Sequence, residues 1–183
     1  SGAPRSVLAM ALATTPEYRN SVIGAAGDND FYHLYLDRTS DPAGVAYWVG
    51  RMAGPNGLSF EQVRLKFVDS PEYFSSPVVG NNDKAAAIAA LYDDLLGRTD
   101  GGASDPTGFA YWMAHFDRTT IATRFLFSPE GRAYLVNTLY QQILHRNSDP
   151  AGLAFWTDRL LHGASDENII ASILGSAEFF ESV

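Results

Sequence analysis

Carboxylates and guanidinium groups recur at fixed places in this chain, and these are the groups from which acid–base or anion-binding chemistry is built. Asp41, Asp105 and Asp149 each precede a proline, and Arg38, Arg98 and Arg146 stand a few residues upstream of them. An active site needs one such constellation, whereas this one occurs in triplicate beside the same helix-start signals. Capping accounts for it. An aspartate before proline is an N-cap with proline at the first helical position, and an arginine just past a helix opposes the negative end of the dipole. Each arginine is also placed to pair with the glutamate of a Ser-Pro-Glu sequence in its own unit.

Metal and hydrolytic chemistry find less to work with. Asp100-Gly101-Gly102-Ala103-Ser104-Asp105 and Asp28-Asn29-Asp30 have the oxygen-rich composition of calcium loops. Neither shows the Asp-x-Asp-x-Asp-Gly spacing with a distal bidentate glutamate, and turn chemistry explains both. His33, His115, His145 and His162 form no i, i+4 pair, and the chain has no cysteine to complete a zinc site. There is no Gly-x-Ser-x-Gly elbow and no Gly-rich phosphate loop. The expectation is a protein that is not an enzyme, with no metal and no cofactor.

The elements that carry these residues belong to a chain of 183 residues and net charge −8, 46% hydrophobic and 19% charged. That length buries a core without staples, and the acidic balance excludes a binder of nucleic-acid phosphates. No apolar run approaches the ~18 residues that span a bilayer, so no membrane insertion is expected. The lack of cysteine fits an oxidising compartment. Ser1-Gly2-Ala3-Pro4-Arg5 has no basic-then-apolar signal pattern, so secretion would rest on a leader outside this sequence.

Asp41-Pro42-Ala43-Gly44-Val45-Ala46-Tyr47-Trp48 returns as Asp105-Pro106-Thr107-Gly108-Phe109-Ala110-Tyr111-Trp112 and as Asp149-Pro150-Ala151-Gly152-Leu153-Ala154-Phe155-Trp156. Upstream lie Tyr32, Leu36 and Arg38, then Tyr92, Leu96 and Arg98, then Tyr140, Leu144 and Arg146. Downstream lie Ser70-Pro71-Glu72, Ser128-Pro129-Glu130 and Ser176-Ala177-Glu178, with Thr15-Pro16-Glu17-Tyr18 as an earlier tail. The repeat heads fall near 31–52, 91–116 and 139–160, and the tails near 7–23, 60–77, 120–136 and 168–182. Opening on a tail suggests a cap, or a fragment of a longer protein.

Every piece carries helix signals, among them the capping box Ser59-Phe60-Glu61-Gln62 and the acidic first turn Ser165-Asp166-Glu167. No stretch alternates at period two over strand length. The predicted fold is all-α: one domain, residues 1–183, a compact multi-helix array of about three tandem helical units. Trp48, Trp112 and Trp156 fall on apolar stripes and are expected largely buried. Gly44, Gly108 and Gly152 sit inside helices at a cost of ~1 kcal/mol each relative to alanine. The expected reason is close approach of a neighbouring helix backbone.

The Tyr, Leu96-Gly97-Arg98, Asp-Pro-x-Gly-x-Ala-Tyr-Trp and Ser-Pro-Glu series resembles the bacterial family called domain of unknown function 4214 over roughly Val7 to Glu181. It is distantly similar to phycobilisome linker domains. The chain departs from the family pattern at Ser40, Ser104 and Ser148, where proline is usual, and at Asp37 and His145, where Leu-Gly-Arg has glycine. The middle copy inserts four residues within Thr99 to Ser104. The resemblance implies an all-helical module of secreted or surface-associated bacterial proteins and supplies no catalytic residues. The expected function is therefore a non-catalytic interaction or scaffolding module, extracellular or on the cell surface, whose partner is a protein. The alternatives are a binder of cell-envelope polysaccharide and, behind it, a calcium-binding module. Contact residues are sought outside the repeat, at His33, Tyr35, Arg64, Lys66, Tyr73 and Phe74, and exposure of Tyr35, Tyr73 and Phe74 would favour the polysaccharide.

Overall fold

Proline at the first helical position, behind a Thr, Asp or Ser whose side-chain oxygen accepts the amide three residues on, opens six helices among the described residues. The computed structural model describes residues 5–25 and 27–182, and among these there are helices and turns and no strand. Ser1 to Pro4 and the side chain of Asp28, both considered above, lie outside the described residues. Helices α1 (Arg5–Ala13) and α2 (Pro16–Asn20) form the leading tail, followed by a wide helical turn at Ser21–Ala25 and a 3₁₀ turn at Gly27–Asn29. The first unit comprises α3 (Phe31–Leu36), α4 (Pro42–Arg51), α5 (Phe60–Val68) and α6 (Pro71–Ser75). The second comprises α7 (Lys84–Leu96), α8 (Pro106–Ala114), α9 (Arg118–Leu126) and the start of α10 (Pro129–Leu144). The rest of α10 begins the third, which continues through α11 (Pro150–Leu161), α12 (Asp166–Leu174) and α13 (Ala177–Ser182).

The same junction is built three times. The helix bearing the repeated tyrosine ends in a left-handed residue: Asp37 at φ 49°, Gly97 at φ 69° and His145 at φ 54°. In the first two copies the next amide then turns back, Arg38 N–H to the Tyr32 carbonyl (3.3 Å) and Arg98 N–H to that of Tyr92 (3.0 Å), the Schellman arrangement. Closing the turn this way lays each arginine over its own tyrosine, with guanidinium to ring distances of 4.6, 5.4 and 5.2 Å for Arg38, Arg98 and Arg146. Each guanidinium then donates through two nitrogens to both oxygens of the glutamate in the following tail: Arg38 to Glu72, Arg98 to Glu130 and Arg146 to Glu178. Glycine is the fitting residue at 97 for a second reason: a Cβ there would run into the Tyr134 ring. Asp37 and His145 take the left-handed conformation without that relief.

The junction also corrects two expectations. Gly44 and Gly152 face a tyrosine hydroxyl rather than another backbone. A Cβ on Gly44 would overlap Tyr32 Oη, and one on Gly152 would lie 3.0 Å from Tyr140 Oη. At Gly108 the Cβ would strike the capping carboxylate of Asp105 first and then approach Tyr92 Oη at 2.8 Å. The small residue leaves room for the buried phenol that ends beside the N-cap. The tryptophans are half-buried rather than largely buried. Trp48 lies against Phe67 at 5.4 Å and Trp112 against Phe125 at 5.7 Å, so one edge covers the core while the other reaches the surface.

Between units, α5 packs on α9 and α12, α10 on α7 and α12, and α1 lies along α12. Ile23, Phe60, Ile88, Leu91, Ile121, Leu126 and Ile169 form the fully buried centre. The close fit at Gly44 has a direct test. Gly44→Ala is expected to lose about 1–3 kcal/mol through overlap with Tyr32, although the same exchange ordinarily stabilises a helix. Gly50→Ala on the same helix, where an added Cβ meets nothing within 4 Å, is expected to gain up to ~1 kcal/mol. Urea denaturation of both variants, with Gly44→Ala partly rescued by Tyr32→Phe, measures the difference.

Candidate functional site

Two places gather chemistry, one on the surface and one inside. On the surface, α4, α8 and α11 each turn an aromatic ring outward at the same repeat position: Tyr47, Tyr111 and Phe155, 55%, 50% and 50% exposed. Each meets its neighbouring tryptophan edge-on, with centroids 5.0, 4.9 and 4.8 Å apart. The residue one helical turn on is Arg51, His115 or Arg159, and helix geometry places it beside the ring. His115 stacks on Tyr111 at 4.4 Å, and the Arg159 guanidinium sits 4.8 Å over Phe155.

The interior site is made by charged residues that amphipathic helices ordinarily turn to water. Glu61, Arg64, Arg132 and Asp166 are all buried. Arg132 donates to Glu61 across α10 and α5. Arg64 donates through Nε to Tyr35 Oη at 2.8 Å, and its Nη1 stands 3.7 Å from Asp166 Oδ2, an ion pair without a hydrogen bond. Arg64 Nη1 and both oxygens of Asp166 have no hydrogen-bond partner among the described residues. Burial therefore raises the Asp166 carboxyl well above the usual carboxylate range; the adjacent Glu167 charge adds to the rise and Arg64 opposes it. Two adjoining cavities, of 440 and 80 Å³, share Leu34, Tyr35, Arg64, Leu135 and Thr138 as walls. The smaller one also touches Asp94, whose Oδ2 accepts from the Tyr73 hydroxyl at 2.6 Å.

Of the six contact residues expected from sequence, Tyr35, Arg64 and Tyr73 converge here and are buried, so none of them is a surface contact. Their long side chains sit on the core-facing sides of α3, α5 and α6, and each finds a polar partner inside. His33 is held by Asp30, which accepts its backbone N–H at 3.0 Å and meets its ring nitrogen at 3.1 Å. Phe74 is half-buried beside Phe116 and under the Arg118 guanidinium, at 6.1 and 4.9 Å. Lys66 alone of the six is exposed, at the edge of a shallow groove with Leu58 and Thr119. The carboxylate of Asp100 accepts the amides of Gly102 and Ser104 at 3.0 and 2.8 Å, and Asp105 caps α8. Both are thus engaged by their own backbone. Among the described residues no group of three or more His, Asp or Glu is arranged to hold a metal ion, and no helix is long and apolar enough to cross a membrane. The sequence assigned no site role to Asp94, Glu61, Arg132 or Asp166; Glu61 and Asp166 stood only within helix-start signals, the capping box and the acidic first turn.

These geometries define an all-helical protein in which one Tyr–Arg–Glu junction recurs. The family described as Domain of unknown function (DUF4214) matches residues 9–77 and 122–183, and the chain belongs to that family. No curated protein and no solved structure matches it. The stretch between the two matched segments supplies Tyr92 and Arg98 to the same junction, and their partner Glu130 lies at the start of the second segment.

Asp94 supplies a pH test of the interior. Burial lifts its carboxyl from an ordinary 3.8 to about 7, and the Tyr73 hydrogen bond opposes the rise. Between those values the folded chain keeps a proton that the unfolded chain has released, so stability falls as pH rises through this window and levels off above it. Guanidinium titrations are expected to show about 2 kcal/mol less stability at pH 8 than at pH 5 from this group. Asp94→Asn, which keeps an acceptor for Tyr73, should remove that part of the loss.

Proposed function

We propose that the domain is a non-catalytic interaction module of a secreted or cell-surface bacterial protein, engaging a protein partner through its three equivalent aromatic patches. The observation that carries this reading is the recurrence of an exposed ring backed by a half-buried tryptophan, at Tyr47, Tyr111 and Phe155. Tyrosine, tryptophan and arginine are the side chains that dominate binding energy at protein interfaces. Three linked patches multiply a modest single affinity by raising the effective concentration of the second and third contacts. The absence of cysteine supports an oxidising location.

Polysaccharide binding is supported less well, for a geometric reason. A sugar platform offers a free ring face, whereas one face of Tyr111 is stacked on His115 and one face of Phe155 lies under Arg159. Of the three residues whose exposure would have favoured polysaccharide, Tyr35 and Tyr73 are buried and Phe74 is half-buried. The test is retention on the immobilised domain. Envelope proteins from a bacterium whose genome encodes the chain are passed over wild type and over Tyr47→Ser/Tyr111→Ser/Phe155→Ser, with cosedimentation on purified cell-wall polysaccharide in parallel. A saturable protein partner lost in the triple variant at unchanged Tm is expected. Retention that ignores the triple variant would place the interface elsewhere, and polysaccharide binding that the variant abolishes would establish the sugar reading.

A further inference from the structure

The 440 Å³ cavity lies among α2, α3, α5, α10 and α12 and is apolar over most of its wall, with Tyr18, Phe31, Leu139, Ile143 and Ile170 among its lining. Its volume is within the range of small-molecule sites. Its polar end consists of two buried groups with bonds left to make: Arg64 Nη1, a donor, and the carboxylate of Asp166, an acceptor, which is 1% exposed. Buried polar atoms without partners cost about 1–3 kcal/mol each, more when charged. Such a cost at two facing residues of one cavity indicates that something else is meant to satisfy them. Replacing both by apolar residues would remove the cost, whereas this chain places opposite charges there at a separation too long for a hydrogen bond, 3.7 Å.

We propose that this cavity binds a small amphipathic molecule with a hydrocarbon body and a neutral, hydroxyl-bearing head, the head bridging Arg64 and Asp166. One hydroxyl oxygen accepts from the guanidinium and donates its proton to the carboxylate, which is what the pair lacks. Charged heads fit worse. A carboxylate head would face Asp166, with Glu61 and Glu167 near it, and an ammonium head would face Arg64. An ionic head would add a second charge beside one of like sign, whereas a neutral head adds none to a buried site.

Three probes of one chain length separate the head groups: 1-octanol, octanoate and octylammonium, each titrated into the intact chain and followed by amide chemical shifts in NMR. The expected result is saturable binding of 1-octanol, at least tenfold tighter than either ion, with shifts and slowed amide exchange confined to the helices around the cavity. Asp166→Leu, which removes the acceptor at similar size, should weaken 1-octanol at least tenfold, and Ile143→Trp, which fills the cavity from a half-buried wall, should abolish binding. Amide exchange on the wild-type chain decides the location by itself should either variant fail to fold. Tighter binding of octanoate or octylammonium would overturn the neutral head. Absence of saturable binding, or protection at helices outside the cavity wall, would overturn the site.

Discussion

A bidentate arginine–glutamate pair joins the end of one helix to the start of another 32 to 34 residues later, three times over, and the arrangement of every unit follows from it. The partly exposed ion pair alone contributes little, typically below about 1 kcal/mol. Its strength here is geometric. The left-handed turn has already fixed the arginine backbone, the tyrosine ring supports the guanidinium, and in the first two copies proline has fixed the start of the helix carrying the glutamate. Little conformational freedom is left to lose when the two side chains meet. In the middle copy the tyrosine hydroxyl continues the same linkage to the next N-cap, Tyr92 to Asp105 at 3.0 Å, and in all three copies it stands within 3.0 Å of where a Cβ on the glycine three residues beyond that cap would lie.

Below this repeated surface linkage the interior is not uniform. Unit contacts that are alike outside bring unlike residues together inside, where α5 meets α10 and α12. Arg132–Glu61 and Arg64–Asp166 are buried there, and burying ion pairs is commonly no gain over apolar packing. The Arg132–Glu61 pair is closed by a direct hydrogen bond, and the Arg64–Asp166 pair is left open at the cavity. The repeat thus builds a frame, and the departures from the repeat furnish its interior chemistry.

The two faces of α4, α8 and α11 divide the same way. The N-terminal turn of each is committed to the junction through its aspartate and glycine, and the tryptophan spans the boundary between core and surface. The next ring out is left to solvent with a basic or imidazole neighbour. A helix anchored so firmly at one end can present an aromatic side chain to a partner with little further ordering cost.

What could be read from sequence were interactions that close within a few residues. The N-caps Asp41, Asp105 and Asp149 and the Ser59–Gln62 capping box form as expected, because their partners are three residues away in any helix. The Arg–Glu pairing was also accessible, since both ends recur in step with the repeat. Helical periodicity placed each tryptophan on the right stripe but did not give its depth, which depends on how closely the neighbouring helix approaches. The meaning of Gly44 was likewise undecided until the Tyr32 hydroxyl was seen to fill the space. Asp166 and Glu167 look equivalent as an acidic first turn. Only the packed structure buries Asp166 beside Arg64 and sends Glu167 across to accept the Phe60 amide at 2.9 Å. The partners of those two residues are more than 100 positions away, and no local pattern encodes which carboxylate turns inward.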